Sequence, residues 1–162
     1  MKLASAWALA LGMGLGVSGC ARLSETGVLL LGTTLPALSI VNGQVLQGEV
    51  QLLPDRTGSV ALRTSANPPN SPETAPISNC MGRLHFSGTT AGEIDLRCND
   101  GSVATLVFSL VSDATGYAYG QTATAPVSLT FGMRPAVARA YLTAPPAKKL
   151  VERADGSSLE LQ

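Results

Sequence analysis

The chain reads as all-β: an antiparallel meander of about eight short strands forming a small up-and-down barrel, closed or nearly closed. A two-layer β-sandwich is the alternative. Three observations predict this. Charged residues make up only 14% of the 162, while Thr, Ser, Gly, Val and Leu dominate, a composition suited to short strands and turns. A gapless offset of 34 lays Gly48-Glu-Val-Gln-Leu52 over Gly82-Arg-Leu-His-Phe86, and Gly58-Ser-Val-Ala-Leu-Arg63 over Gly92-Glu-Ile-Asp-Leu-Arg97. Turn signals such as Asn42-Gly43 and Asn99-Asp100-Gly101 punctuate the alternating runs.

The elements follow in order. Leu38–Val41 and the run from Gln44 flank Asn42-Gly43, a type I′ hairpin signal. Each copy of the repeat is then an alternating run, a loop of about five residues ending in glycine, and a second alternating run, which is a hairpin unit. A third copy is partial: Leu53-Pro-Asp-Arg-Thr-Gly58 echoes Val111-Ser-Asp-Ala-Thr-Gly116. So few and such short copies argue for a meander over a solenoid. If the first hairpin centres on Asp55, Val50 faces Val60 and Gly48 faces Leu62. If the second centres on Thr89, Leu84 faces Ile94, Phe86 faces Gly92 and Cys80 faces Cys98, while the other face pairs Arg83 with Asp95 and His85 with Glu93. One register thus satisfies an apolar face, a charge match and a directly opposed cysteine pair, and a slip of one residue would turn the apolar set outward. Val103–Val111 is apolar on both faces and is expected to be the most buried strand. Gly116–Gly120 and Val127–Phe131 close the series.

Three segments flank or interrupt this rhythm. Residues 65–79 hold Pro68, Pro69, Pro72 and Pro76 and read as an exposed loop between the first and second hairpin units, a spacer or a binding loop. Residues 20–36 read as a tether, with Val28–Leu31 either tether or first strand, so the β domain is bounded at 37–132. Residues 133–162 read as an appendage, partly disordered, in which Pro135 and Pro146 each open a short helix and Gly156 to Gln162 frays.

Residues 1–19 form a secretory leader: Met1-Lys2 supplies a charged start, and Leu3 to Val17 an apolar run of about fifteen residues, short for a bilayer span of roughly twenty. A retained transmembrane helix is further disfavoured by Gly12, Gly14, Gly16 and Gly19. Val17-Ser18-Gly19-Cys20 resembles the lipobox of bacterial lipoproteins. The resemblance implies cleavage before Cys20, acylation of its thiol with palmitate-class chains, and a mature chain held in a membrane by its first residue. A non-lipidated leader with a chance cysteine is the alternative. In a host with two membranes, Ala21 rather than Asp after the cysteine implies sorting to the outer membrane, with the domain facing the periplasm.

Removing residues 1–19 leaves 143 of the 162, enough for one ordinary domain. Lys2 leaves with the leader, so ten basic residues face 11 acidic ones, a balance with no electrostatic footprint for nucleic acid and no basic patch for anionic lipid. With Cys20 committed to lipid, Cys80 and Cys98 remain, and an even pair in an exported chain reads as a disulfide. A closed zinc site is the competing reading, but one histidine and no Cys-x-x-Cys leave it short of ligands.

Candidate chemistry is sparse. His85 is the sole histidine, and no Gly-x-Ser-x-Gly or Ser-x-x-Lys motif supplies it with a nucleophile. Glu93, Asp95 and Asp100 are the nearest carboxylate cluster for glycoside hydrolysis, yet the first two have basic cross-strand partners and the third belongs to a turn. Asp55-Arg-Thr-Gly58 and Asp113-Ala-Thr-Gly116 offer one carboxylate each, too few for calcium, and read as turns with aspartate bonded to local amides and glycine at φ > 0. Tyr117 and Tyr119 lack the basic groove of a nucleic-acid platform.

Cys80-x-Gly82, Cys98-x-Asp100-Gly101, Gly116-Tyr-x-Tyr-Gly120 and Phe131-Gly132, behind the lipobox, resemble small proteobacterial envelope lipoproteins with a Gly- and Thr-rich β domain. The likeness covers residues 80–132 and the leader, rests on structural motifs, and implies no catalytic, cofactor or metal residue. The expected role is therefore non-catalytic and envelope-anchored, structural or interacting with an envelope protein. A carrier of a small apolar ligand in the barrel and an envelope hydrolase are the alternatives.

Overall fold

The computed structural model describes residues 32–64 and 77–162; the leader, Cys20, Val28–Leu31 and most of the proline-rich loop lie outside the described residues. Eight antiparallel strands follow one another around a closed barrel: β1 (Thr33–Val41), β2 (Gln44–Leu52), β3 (Thr57–Thr64), β4 (Asn79–Phe86), β5 (Ala91–Cys98), β6 (Val103–Ser112), β7 (Thr115–Gln121) and β8 (Pro126–Phe131). The barrel, not the sandwich, is the architecture. β1 pairs with β8 to shut the sheet, Ala37 opposite Phe131 and Ile40 opposite Ser128.

The hairpin registers are those expected from the repeat. Val50 faces Val60 and Gly48 faces Leu62. Cys80 faces Cys98, Leu84 faces Ile94, Arg83 faces Asp95 and His85 faces Glu93. Asn42 and Gly43 both take positive φ, 46° and 73°, as a two-residue I′ turn requires. Cys80 and Cys98 form a disulfide across β4 and β5.

Alternate residues point into the bore and fill it. Leu46, Val50, Val60, Leu62, Leu84, Ile94, Leu96, Leu106, Phe108, Val127, Leu129 and Phe131 are all buried in one cluster. An eight-stranded barrel is just wide enough for such side chains, and inward glycines make the fit. At the loop end of each hairpin unit a bulky residue faces glycine: Leu52 opposite Gly58, Phe86 opposite Gly92, Leu110 opposite Gly116. Gly58 and Gly116 are therefore not positive-φ turn residues as expected; both lie within strands, and the positive φ in the first loop belongs to Arg56. Glycine is needed because a Cβ on Gly116 would sit 2.4 Å from the Phe131 ring, and one on Gly58 2.3 Å from the Gln51 carbonyl.

Both barrel ends are shut. At the end carrying the Asn42-Gly43 turn, Ile77 enters the core from the end of the proline-rich connection. Beside it a polar network ties three loops: Asn42 Nδ2 donates to Ser102 Oγ at 3.0 Å and to Asp100 Oδ2 at 3.4 Å, and Thr122 Oγ1 donates to Asn42 Oδ1 at 2.9 Å. At the other end Phe86, Phe108 and Phe131 meet edge to face, with centroids 5.0 and 6.3 Å apart, and the Arg56 guanidinium lies 5.6 Å from the Phe86 centroid.

Three expectations are corrected. β1 begins at Thr33, so residues 33–36 belong to the barrel, not the tether. Val103–Val111 is not the most buried strand: Ala104, Leu106 and Phe108 face the bore, but Val103, Val107 and Val111 are exposed, Val107 by 61%. The strands buried on both faces are β1 and β8. Their cover is the third correction. Gly156 to Gln162 do not fray, since β10 lies within them, and residues 133–162 form a one-turn helix α1 (Pro135–Ala138) and a hairpin of β9 (Leu150–Glu152) and β10 (Leu159–Leu161). Pro135 opens α1 as expected, whereas Pro146 sits in a turn. Ala138, Leu142, Leu150 and Leu159 pack on Leu38 and Ile40 of the outer wall, a second core. The Thr143 amide donates to Ser128 Oγ at 2.9 Å, and Tyr119 Oη donates to the Tyr141 carbonyl at 2.7 Å.

Candidate functional site

The residues singled out for chemistry lie on the open outer wall or are bonded within turns. His85 Nε2 lies 3.6 Å from Glu93 Oε2 on the outer wall, both side chains about half exposed at 52% and 48%. Asp95 faces Arg83 in register but accepts instead from Thr105 Oγ1 at 2.9 Å, across its other strand neighbour. Asp100 sits in the polar closure, accepting the Ser102 amide at 2.9 Å together with the Ser102 hydroxyl and the Asn42 amide. Burial acts to raise its pKa, but the hydrogen bonds from Ser102 and Asn42 outweigh it and hold the carboxyl below the ordinary range.

The aspartate-bearing segments at Asp55 and Asp113, expected as turns, are turns. Asp55 Oδ1 accepts both the amide of Thr57, at 3.0 Å, and its hydroxyl, at 2.6 Å, and these bonds lower its pKa. Asp155 and Ser157 repeat the arrangement at 3.0 and 2.7 Å. Asp113 lies in the turn between β6 and β7, where Ser112 and Thr115 hydroxyls bond to each other at 2.8 Å. Among the described residues no group of three or more His, Cys, Asp or Glu side chains is placed to hold a metal ion. Tyr117 and Tyr119 bind the C-terminal segment: Tyr117 stacks on Tyr141 with centroids 5.1 Å apart. Burial against that segment, then the neighbouring Tyr117 and Tyr141, raise the pKa of Tyr119.

The described surface does carry a recess, which the sequence reading missed. A groove of about 520 Å³ lies on the outer wall over β1 and β2, bounded by the chain just after β8 and by Ser157 of the β9–β10 turn. Pro36 and Leu38 form its floor with Met133 and Pro135 beside them, while Gln47, Glu49 and Arg134 supply polar groups. The Pro36 carbonyl accepts the Gly132 amide at 2.8 Å, and this bond lays residues 132–135 along one side of the groove. Glu49 is the cross-strand partner of Pro36 and stands on the other side. Reading 133–162 as an appendage concealed the site, because Met133, Arg134, Pro135 and Ser157 of its lining come from that segment. The missed signal was the apolar series Met133, Ala138, Leu142, Leu150 and Leu159, too rich for a frayed tail. No protein-family model, curated protein or solved structure matches the chain.

Proposed function

We propose that the chain is a non-catalytic, lipid-anchored protein of the cell envelope that acts through the outer surface of its barrel. The observation that carries this reading is the filled bore: side chains from every strand occupy it and both ends are shut. A carrier of a small apolar ligand needs an open interior, so the packing favours an outer-surface role over transport inside the barrel. His85 and Glu93 pair with each other in the open on the outer wall, Asp95 is bonded to Thr105 and Asp100 belongs to the polar closure, an arrangement that supports a role other than hydrolysis.

The wall has charged residues outside and apolar ones inside: Arg83, Glu93, Asp95 and Arg97 are exposed mid-strand, and Leu84, Ile94 and Leu96 are buried between them. A barrel that spans a bilayer has the opposite arrangement. Attachment in this reading therefore falls to Cys20, acylated after loss of residues 1–19, with the barrel held at the outer membrane on the periplasmic side. An envelope protein is the partner class that fits an anchored, closed domain.

Mass spectrometry of the amino-terminal peptide from the membrane fraction tests the anchor, which predicts acyl chains on Cys20 and nothing upstream. An intact leader, or a bare thiol at the processed end, overturns it. Photo-crosslinkers at Val107 and at Glu49 test the interaction. Adducts with one discrete envelope component are expected, and their absence from both positions would reject that part of the reading.

A further inference from the structure

We infer that the C-terminal cover is a docking surface for an anionic lipid bilayer. The even charge balance of the whole chain implied no basic patch, yet its two parts differ in sign. Residues 33–132, the barrel, carry seven acidic side chains against four basic ones. Residues 133–151 carry four basic side chains, Arg134, Arg139, Lys148 and Lys149, and no acidic one. All four are exposed, and none joins the two ion pairs among the described residues, His85–Glu93 and Arg153–Glu160. The cover's acids, Glu152, Asp155 and Glu160, all lie in the β9–β10 hairpin, where Glu160 is paired with Arg153 and Asp155 accepts from Ser157.

An exposed apolar side chain accompanies each cationic pair. Val137 stands on α1 between Arg134 and Arg139, and Val151 of β9 follows closely on Lys148 and Lys149. A soluble polyanion leaves such valines in water, whereas the headgroup boundary of a bilayer takes apolar tips and cations together. The inner sides of the same elements hold the cover in place, since Ala138, Leu142 and Leu150 pack on the barrel wall. The route of the chain agrees with this orientation. The cover packs on β1, and β1 is the strand that the chain enters on its way from Cys20. Residues 21–32 span at most about 40 Å when fully extended, so a Cys20 held in a bilayer keeps the covered seam within reach of that surface.

This inference deepens the outer-surface role and rests on its placement of the chain in the envelope, but its test needs no acyl group. Residues 20–162 contain the whole barrel and its cover, and Cys20→Ser keeps them free of lipid. Co-flotation is expected to show binding to vesicles that contain phosphatidylglycerol and little binding to vesicles of phosphatidylcholine alone. Each cation near such a surface contributes about fivefold in affinity. Arg134→Gln with Arg139→Gln, or Lys148→Gln with Lys149→Gln, should therefore weaken binding about 25-fold. The four positions are exposed, so the fold survives these changes and the melting temperature should stay as it was. A dye on Val137→Cys should be quenched by a lipid-borne quencher, and one on Glu93→Cys, on the opposite wall, should not. Equal binding to the two kinds of vesicle, equal quenching at the two sites, or equally tight binding of a DNA oligonucleotide overturns the inference. Acylation of Cys20 is read separately by mass spectrometry, so the anchor and the docking surface fail independently.

Discussion

The β4–β5 hairpin and the β8–β1 seam sit on opposite sides of the barrel and are held by different means. The hairpin pairs seven residues on each strand, carries the disulfide, and meets water along its outer face. The seam pairs only Ala37–Ile40 with Ser128–Phe131, joins residues about ninety positions apart, and is dry on both faces because the C-terminal segment lies over it. Local covalent closure secures one wall, and tertiary cover secures the other. Water contact determines the sequence pattern as well: a strand with one wet face must alternate, whereas a strand dry on both sides is free of that constraint.

Removing the staple gives the largest expected effect. Cys80→Ser with Cys98→Ser opens a loop of sequence separation 18 and should cost about 3 kcal/mol, mostly through the unfolded chain. Urea denaturation should show the loss, while the β signal in circular dichroism persists. A melting temperature equal to that of wild type would mean that the staple contributes nothing to this wall.

The complementary change is Leu159→Ala, which empties the cover from a position only 1% exposed. Its expected cost is about 2–3 kcal/mol. Amide exchange should quicken in β9, β10 and β1 and stay unchanged in β4 and β5. Uniform quickening would show that the two walls are one cooperative unit, and the comparison would break there.

Asp100 sharpens the contrast by pH. Its carboxyl is held below the ordinary range in the folded chain, so its contribution is fully present above the unfolded value near 3.9 and is lost as pH falls through the folded value. Asp100→Ala should cost about 1 kcal/mol at neutral pH, the site being partly open to water. The gap between variant and wild type should narrow on acidification below about pH 4, read as converging urea midpoints.

The smallest effect belongs to Val107→Thr. Val107 is 61% exposed, so exchanging its methyl for hydroxyl should stay within about 0.5 kcal/mol by the same urea assay. A larger loss would mean that this apolar stripe is covered by something.

Legibility in the sequence follows the same division. The register of β4–β5 was readable because the apolar face, charge and cysteine each constrain the same pairing, and that of β2–β3 because the repeat carries the same glycine and apolar pattern. The seam was not. Pro36, Leu38 and Ile40 alternate with residues that also face apolar surroundings, so the pattern gave no signal of which partner covered them. The valines of β6 misled in the opposite sense, since apolar character permits burial without requiring it. The roles of Gly58 and Gly116 were misread for a related reason. Glycine serves equally a left-handed turn and a crowded interior, and only the positions of the Gln51 carbonyl and the Phe131 ring decide between them. The groove was illegible in principle from one segment, because its lining comes from β1, β2, the chain after β8 and the β9–β10 turn, which are brought together only by folding.

The meeting of the first and last barrel strands has a further consequence. A chain ending anywhere short of Phe131 has two raw sheet margins, β1 on one side and an unfinished strand on the other, each with a row of unpaired amides and carbonyls. Such margins invite pairing with other chains. Completion of β8 removes both at once, and the residues that follow then seal the join from outside.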